Sequence, residues 1–261
     1  MKSISGIPAS YGIAIGPAFI FRQAEIEIES RSIEDPNIEW DKFEKGREKT
    51  RQQLEVAYQK AKEESGEDIA EIFNAQLLIL QDPEFIKAVK SKVENELVGI
   101  EAAVHDAAES YASQIEAIDD EYLSARAADI RDLSSRFLRN LLGIVDTPAD
   151  SLNSPSVIVA EDLTPSDTAL LNKDFVLGFC TARGGSTSHT AILARSLGIP
   201  AVVGAGDEVD EVESGEKLVV DGDSGIVVLH PDQDTLEKYK NRKQKFLQVQ
   251  NEAESDAHQP A

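Results

Sequence analysis

The stretch TARGGSTSHTAILARSLGIPAVVG, residues 181–204, decides the fold of the second half of the chain. It follows an apolar run, 175–179, of the kind that forms a buried strand, and its Gly184-Gly185 pair allows a sharp turn. Three hydroxyl residues then precede His189, which opens an amphipathic pattern typical of a helix. The stretch therefore predicts a strand, a glycine turn and a helix that begins at His189.

A histidine in this position has a specific chemistry. The first N–H groups of a helix have no acceptor within the helix, and they lie at the positive end of its dipole. They disfavour an imidazolium ion but stabilise a phosphoryl group bound to a neutral imidazole. His189 is therefore a candidate nucleophile for phosphoryl transfer. A short Gly-Gly…His pattern is equally compatible with a histidine that only caps or packs a helix, so the local pattern leaves both interpretations open.

Strand-like runs rich in β-branched residues recur beyond residue 154 and alternate with helix candidates at 168–171 and 189–197. This alternation predicts an α/β domain. The segment DGDSG, 221–225, lies between two apolar runs and predicts a hairpin turn. The predicted strands are 157–160, 175–179, 201–203, 218–220 and 226–229.

Residues 37–142 have a different texture, in which apolar residues recur at steps of three, four and seven. Asp82-Pro83 predicts a new helix, because a carboxylate cap followed by proline suits a first helical turn. No proline occurs between Pro83 and Pro148. This region predicts a helical bundle.

The composition limits the class of protein. A length of 261 residues suits two domains. The net charge of −22 repels nucleic acid and anionic membranes, and it attracts a basic protein partner. The single cysteine, Cys180, and the absence of any long apolar run predict a cytoplasmic protein. The four histidines show no metal-ligand spacing.

Four separated stretches resemble one family, in the family's own order. GSTSHTA (185–191), followed by ARSLGIPAVVG (194–204), resembles the phosphohistidine signature of enzyme I, the phosphoenolpyruvate–protein phosphotransferase of the bacterial phosphotransferase system. The other similar stretches are SGIPAS with GIAIG (5–16), DDEY with RAADIRD (119–132), and DLTPSDTA (162–169). Two residues depart from the family: Ser186 stands where arginine is frequent, and Tyr11 where proline is common.

The resemblance implies an α/β phosphohistidine (swivelling) domain with an inserted α-helical bundle domain. Residues 1–30 and 145–230 are expected to form the discontinuous α/β domain, and 33–143 the helical HPr-binding domain. Residues 232–261 are expected to form a linker helix and tail. The family's dimer contacts lie in its C-terminal half, so the isolated chain is expected to be a monomer.

The resemblance also implies an activity. His189 is expected to exchange a phosphoryl group reversibly with the active histidine of HPr, a small phosphocarrier protein. In the family the group originates from phosphoenolpyruvate, bound with Mg²⁺ in a C-terminal domain that this chain is expected to lack. We therefore expect no cofactor in this chain and no self-phosphorylation from phosphoenolpyruvate. Thr168 matches the family residue whose hydroxyl orients the active histidine, although a simple helix-capping role remains open.

The signature predicts a phosphate loop around His189. Arg195 is expected to help hold the phosphoryl group or substrate, with a surface salt bridge as the alternative. Because Ser186 replaces an arginine while Arg183 lies just before the glycines, the cation that faces the phosphoryl group stays undetermined. The predicted loop residues are Gly184, Gly185, Ser186, Thr187, Ser188, Thr190 and Arg195.

In the family, HPr docks on the helical domain as the more basic partner. Here acidic residues surround four consecutive apolar ones, 77–80. Some of these four must point away from the bundle core, unless the helix packs between neighbours on all sides. We predict that the HPr-binding surface contains Glu67, Asp68, Leu78, Ile79, Asp82, Glu84, Phe85 and Arg126.

Three other interpretations share part of this sequence pattern. The swivelling domain of pyruvate phosphate dikinase or phosphoenolpyruvate synthase is disfavoured by Thr190 and by the helical region. A nitrogen-system enzyme I stays possible, although we do not expect its usual N-terminal sensory domain here. A catalytically silent acidic binding module is disfavoured by His189 within a full signature.

Overall fold

A computed structural model of the chain describes residues 1–22, 26–64, 66–118, 121–144 and 151–257, leaving aside the side chains of 64, 68, 121–125, 170, 247 and 249–257. The chain divides into two compact units. The α/β unit comprises residues 1–22, 148–163 and 170–261, and the helical unit comprises 23–147 and 164–169. Both the α/β and the helical content predicted from the sequence are therefore present.

The helical unit packs around aromatic and aliphatic side chains at the predicted three- and four-residue steps. Phe43 stacks on Trp40 and contacts Phe137, with ring centroids 4.6 and 5.3 Å apart. Asp82 caps a helix as predicted, since its carboxylate accepts hydrogen bonds from the next two helical amides. The helices are α1 (Pro36–Glu64), α2 (Glu67–Gln81), α3 (Pro83–Ser91), α4 (Ile100–Glu116) and α5 (Glu121–Leu142), with a π-helical segment at Lys92–Glu96.

The α/β unit contains an eight-stranded sheet of order β1-β8-β7-β3-β4-β5-β6-β2. The four strands β3, β4, β5 and β6 are parallel, and antiparallel strands flank them on both sides. The strands are β1 (Lys2–Ser5), β2 (Ile7–Ser10), β3 (Ile13–Phe21), β4 (Ser156–Ala160), β5 (Val176–Thr181), β6 (Ala201–Val203), β7 (Lys217–Asp221) and β8 (Ile226–Leu229).

The central strands are covered on both faces, which is why they read as continuous apolar runs. Strand β4 is buried at all of its positions. Helix α7 (His189–Leu197) contributes Ala191, Leu193 and Ala194 to the core on one face. The antiparallel pairing of β7 with β8 confirms the hairpin predicted at 221–225.

The observed units differ from the predicted domain boundaries at three places. Ile26 and Ile28 pack against the helical core, so residues after 22 group with the helical unit rather than with the sheet. Helix α8 (Gln233–Ala257), expected as a separate linker, buries Leu236 and Tyr239 against β7 and β8. The first turns of α8 therefore belong to the α/β unit.

A third difference concerns helix α6 (Pro165–Leu170), which follows β4 in sequence. Residues 164–169 group with the helical unit, because buried polar groups of that unit hold them. The Asp132 carboxylate accepts hydrogen bonds from the amide and hydroxyl of Ser166 at 3.2 and 2.8 Å, and from Gln76 at 2.9 Å. The Lys60 ammonium donates to the carbonyl of Ala169 at 2.8 Å.

Candidate functional site

The loop that carries His189 lies where two parallel strands end. Strands β4 and β5 run side by side in the same direction, so their carboxyl ends meet at one edge of the sheet. Residues 182–188 continue from β5 at this edge, and Asp162 follows β4. Ligand sites of open α/β sheets form at such edges.

Glycine is required at two points of this region. Gly184 adopts φ +97°, a left-handed conformation that L side chains rarely take. Gly204 adopts φ +62°, and a Cβ placed on it would lie 2.8 Å from the carbonyl oxygen of Gly184. The Gly204 amide donates to the carbonyl of Arg183 at 3.1 Å. The segment after β6 therefore packs against the loop backbone and restrains it.

His189 is the first residue of helix α7 and is half-buried. Ser188 caps this helix, since its hydroxyl accepts a hydrogen bond from the Ala191 amide at 3.3 Å. The Ser188 amide donates to the carbonyl of Gly185 at 3.0 Å, which closes the turn. The predicted strand, glycine turn and helix start are all confirmed, and the first-turn amides of α7 lie beside His189.

Besides Ser188, three hydroxyl residues close to His189 in sequence differ in exposure. Ser186 and Thr187 are exposed. Thr190 is fully buried, and within the described ranges its hydroxyl has no hydrogen-bond partner. Thr190 was predicted as a loop residue, and its burial means that it can offer a phosphate only its backbone amide.

The two arginines of this region make different contacts. Arg183 is exposed and forms an ion pair with Glu161 at 2.9 Å. Arg195 donates to two backbone carbonyls, those of Ala9 at 3.1 Å and Ser186 at 2.8 Å. The alternative of a surface salt bridge for Arg195 finds no support among the residues that the structure describes.

Sequence reasoning did not assign Asp162, which lies beside the loop. Its Oδ1 atom would be 3.7 Å from a Cβ placed on Gly184. Loss of water around the carboxyl group raises the pKa of Asp162, against the opposing effects of the Leu163 amide and His189. The sequence does contain a signal for Asp162, because a carboxylate that follows a buried parallel strand is expected at this edge of the sheet.

Thr168 lies in α6 and is buried, with 6% of its surface exposed. Its hydroxyl donates a hydrogen bond to the carbonyl of Pro165 at 2.9 Å. Thr168 belongs to the helical unit, and His189 belongs to the α/β unit. The orienting role of Thr168 stays a prediction.

No group of three metal-ligating side chains comes together within the described ranges. In the same part of the chain, no helix combines the length and apolar content needed to cross a membrane. Cys180 is a buried free thiol, and burial raises its pKa to about 12. A thiol with this pKa stays protonated near neutral pH, and the protonated form is a poor nucleophile.

The predicted docking region contains an exposed acidic face on helix α2. Glu67, Glu71 and Leu78 share this face, since they are spaced by four and seven residues, and all three are exposed. Leu78 has 66% of its surface exposed, while Leu80 is fully buried. The prediction that part of the run 77–80 points away from the core is therefore confirmed. Glu84, at the start of α3, is also exposed.

Other residues of the predicted docking surface are placed differently. Phe85 is wrong as a surface residue: it is 2% exposed and packs edge-on against Tyr111 in the helical core. Asp82 caps α3, and Ile79 is half-buried against the same core. Arg126 donates to Asp129 at 3.1 Å. The side chain of Asp68, also predicted at this surface, lies outside the described residues.

Comparison with known families gives two matches in this chain. Residues 5–126 match "PEP-utilising enzyme, N-terminal", and residues 152–225 match "PEP-utilising enzyme, mobile domain". The second match contains the loop and His189.

Curated relatives are similar over nearly the whole chain. The phosphoenolpyruvate-protein phosphotransferase of Priestia megaterium is 42% identical over 251 residues, which cover 96% of this chain and 44% of that protein. The protein of the same name from Bacillus subtilis is 40% identical over 247 residues, or 95% of this chain and 43% of that protein. The chain thus spans less than half the length of these relatives.

Two solved structures match over almost their full length. An NMR solution structure of enzyme I (nEIt) is 44% identical, with a TM-score of 0.80, and the match covers 93% of this chain and 99% of that one. The N-terminal domain of an enzyme 1 described as "Nitrogen" is 26% identical, with a TM-score of 0.61, and covers 91% of this chain and 98% of that one.

Proposed function

Because the chain belongs to the phosphoenolpyruvate-protein phosphotransferase family, enzyme I, we propose that it is the phosphocarrier half of such an enzyme. His189 takes up a phosphoryl group and exchanges it reversibly with the active histidine of the phosphocarrier HPr. The group originates from phosphoenolpyruvate, through the C-terminal region of the longer relatives. One observation carries this proposal: His189 is the first residue of a capped helix that follows a glycine turn at the carboxyl end of β5.

The transfer requires only groups that this site contains. One ring nitrogen of neutral His189 attacks the phosphorus of phospho-HPr, so that a nitrogen–phosphorus bond forms at His189 while the corresponding bond in HPr breaks. The phosphoryl oxygens then lie at the positive end of α7, where first-turn amides can donate to them. The reverse reaction uses the same contacts, because it passes through the same transition state.

Phosphoenolpyruvate and Mg²⁺ enter this proposal only through the C-terminal region of the relatives, which this chain does not cover. We assign the Mg²⁺ site to that region as well. We further propose that the α/β unit swivels between that region and HPr. We also propose that the isolated chain is a cytoplasmic monomer. It does not phosphorylate itself from phosphoenolpyruvate. The chain is 44% identical to enzyme I (nEIt) but 26% identical to the nitrogen-type domain, which argues against the nitrogen-system branch.

The proposed function is tested by mixing the chain with isotopically labelled phospho-HPr. We expect acid-labile, base-stable label on His189, mapped by mass spectrometry, and return of this label to unlabelled HPr. A folded chain that takes no label from several HPr proteins would contradict the proposal. Label acquired from phosphoenolpyruvate and Mg²⁺ alone would contradict the assignment of that step to the C-terminal region of the relatives.

Thr168 is proposed to orient His189. Since its hydroxyl proton is donated to Pro165, the oxygen is left to accept a hydrogen bond from a ring N–H. Replacing Thr168 with valine should slow transfer from phospho-HPr about 10-fold, the effect of one lost hydrogen bond. Rapid-quench measurement of the labelled chain gives this rate.

Thr168→Ser is the matched variant, because it keeps the hydroxyl and should transfer at nearly the parent rate. Thermal unfolding of both variants reports whether α6 stays folded. An unchanged rate in Thr168→Val would remove Thr168 from the site.

The acidic face of α2, together with Glu84, is proposed as part of the HPr surface. The exposed Leu78 gives this surface an apolar centre, as protein interfaces commonly have. Charge reversal at Glu67 and Glu84 should weaken HPr binding about 10-fold at low salt and flatten its salt dependence, since two attractive charges become repulsive. Calorimetric titration over a range of salt concentrations measures both quantities.

The matched control reverses Glu213 and Glu237, which are exposed in the α/β unit and change the net charge equally. We expect this control to bind HPr nearly as the parent does. Equal weakening by both pairs would show that only net charge matters and would argue against this surface.

A further inference from the structure

We propose that Arg195 is the positioning cation of the phosphohistidine loop, the role left undetermined by Ser186. This inference rests on the proposed transfer at His189. Arg195 lies six residues after His189 in α7, and helical side chains lean toward the helix N-terminus. Its guanidinium reaches back to the loop backbone at Ser186.

Arg195 joins two separate segments of backbone. The Nη2 atom donates to the carbonyl of Ser186 in the loop at 2.8 Å, and the Nη1 atom donates to the carbonyl of Ala9 in strand β2 at 3.1 Å. The planar fork of arginine suits two such acceptors, whereas the single ammonium of lysine does not. The side chain thus ties the loop to the sheet edge and holds the backbone around Ser186 in one position.

The charge of Arg195 is also less compensated than that of its neighbour. Its two acceptors are neutral carbonyls, and among the described residues no carboxylate forms an ion pair with it. Arg183, by contrast, pairs with Glu161, and this hydrogen bond raises the pKa of Arg183. Of the two arginines, Arg195 is therefore the one whose positive charge remains to offset an incoming phosphoryl dianion.

The contacts at Ser186 and Ala9 use two of the five N–H donors of the guanidinium. The other donors remain for water or for oxygens that arrive with the phosphoryl group. Loss of Arg195 should therefore remove both a positive charge and the two hydrogen bonds that hold the loop. Lysine should restore the charge but not both hydrogen bonds.

The test compares three variants for their rate of label uptake from phospho-HPr and for the hydrolysis half-life of the phosphohistidine formed. Arg195→Gln should transfer on the order of 100-fold more slowly, as expected for a misplaced loop, and its phosphohistidine should hydrolyse faster. Arg195→Lys should lose about 10-fold in rate, through one lost charged hydrogen bond, and keep the parent half-life. Arg183→Gln, the matched control in the same loop, should stay within about two-fold of the parent.

Each outcome decides the inference. A rate for Arg195→Gln within two-fold of the parent would overturn it, as would an equal loss in Arg183→Gln. If Arg195→Gln does not fold, Arg195→Lys decides the inference. Its phosphohistidine must then have the parent's hydrolysis half-life, while its rate of label uptake must be lower than the parent's. A parent chain that takes no label at all would instead overturn the proposed function, and this inference with it.

Discussion

His189→Gln is expected to lower phosphoryl uptake from phospho-HPr to less than about one-thousandth of the parent rate, the scale of effect seen when a covalent nucleophile is removed. Glutamine can occupy the first position of α7, but its amide nitrogen has no lone pair available to form the nitrogen–phosphorus bond. The helix amides and the loop would remain in place. Only the acceptor atom would be lost, so the measurement isolates that atom from the binding of the phosphoryl group.

The matched control is His105→Gln, since His105 is exposed on α4 in the helical unit. We expect it to take up label at the parent rate, and we expect both variants to unfold at nearly the parent temperature. Base-stable label on folded His189→Gln would place the acceptor at another residue and contradict the proposed chemistry.

The local structure around His189 could be predicted because its determinants are close together in sequence. A glycine pair, a capping serine and an apolar helical pattern within 181–204 are sufficient to specify a turn followed by a helix. The apolar runs likewise predicted the central strands, because strands buried on both faces leave a continuous signal.

The packing of residues 164–169 with the helical unit could not be predicted in the same way. They follow one buried strand and precede another, which suggests a connection within the α/β unit. Their partners, Gln76 and Asp132, lie far away in sequence and are themselves buried. A hydrogen bond from Ser166 to a carboxylate 34 residues earlier leaves no periodic signal, so only the folded structure reveals it.

Phe85 shows an error that the sequence could have prevented. The residue was predicted at the docking surface, yet it also opens the apolar stripe that continues through Val89 and Val93. All three are buried in α3 and the segment after it. The choice among Leu77 to Leu80 was harder, because four consecutive apolar residues do not indicate which one a neighbouring helix will leave uncovered.

Stability of the helical unit should depend strongly on the carboxylate of Glu39. This side chain is 4% exposed and lies between the guanidinium of Arg31, the ammonium of Lys42 at 2.9 Å and the Ile100 amide at 3.0 Å. Burial by itself would raise the pKa of Glu39, but these hydrogen bonds outweigh burial and lower the pKa from 4.5 to about 2.

The sign of the pH dependence follows from this lowered pKa. The folded state keeps Glu39 ionised where the unfolded state would already bind a proton, so the stabilisation is complete above pH 4.5 and is lost as the pH falls toward 2. A pKa difference of this size between the folded and unfolded states corresponds to about 3 kcal/mol in the free energy of unfolding. Glu39→Gln should therefore lose about 3 kcal/mol at neutral pH, measured by urea unfolding.

Glu48→Gln is the matched control, because the pKa of Glu48 is also lowered to about 2, through hydrogen bonds from Arg51 and Gln52. Glu48 is exposed in α1, however, and exposed ion pairs compete with water and contribute little to folding. We expect Glu48→Gln to unfold as the parent does, and the deficit of Glu39→Gln to shrink between pH 4.5 and 2. Equal losses in the free energy of unfolding from the two variants would mean that burial does not determine the contribution of Glu39. A loss in Glu39→Gln that persists unchanged at low pH would mean that the charge of Glu39 does not determine it.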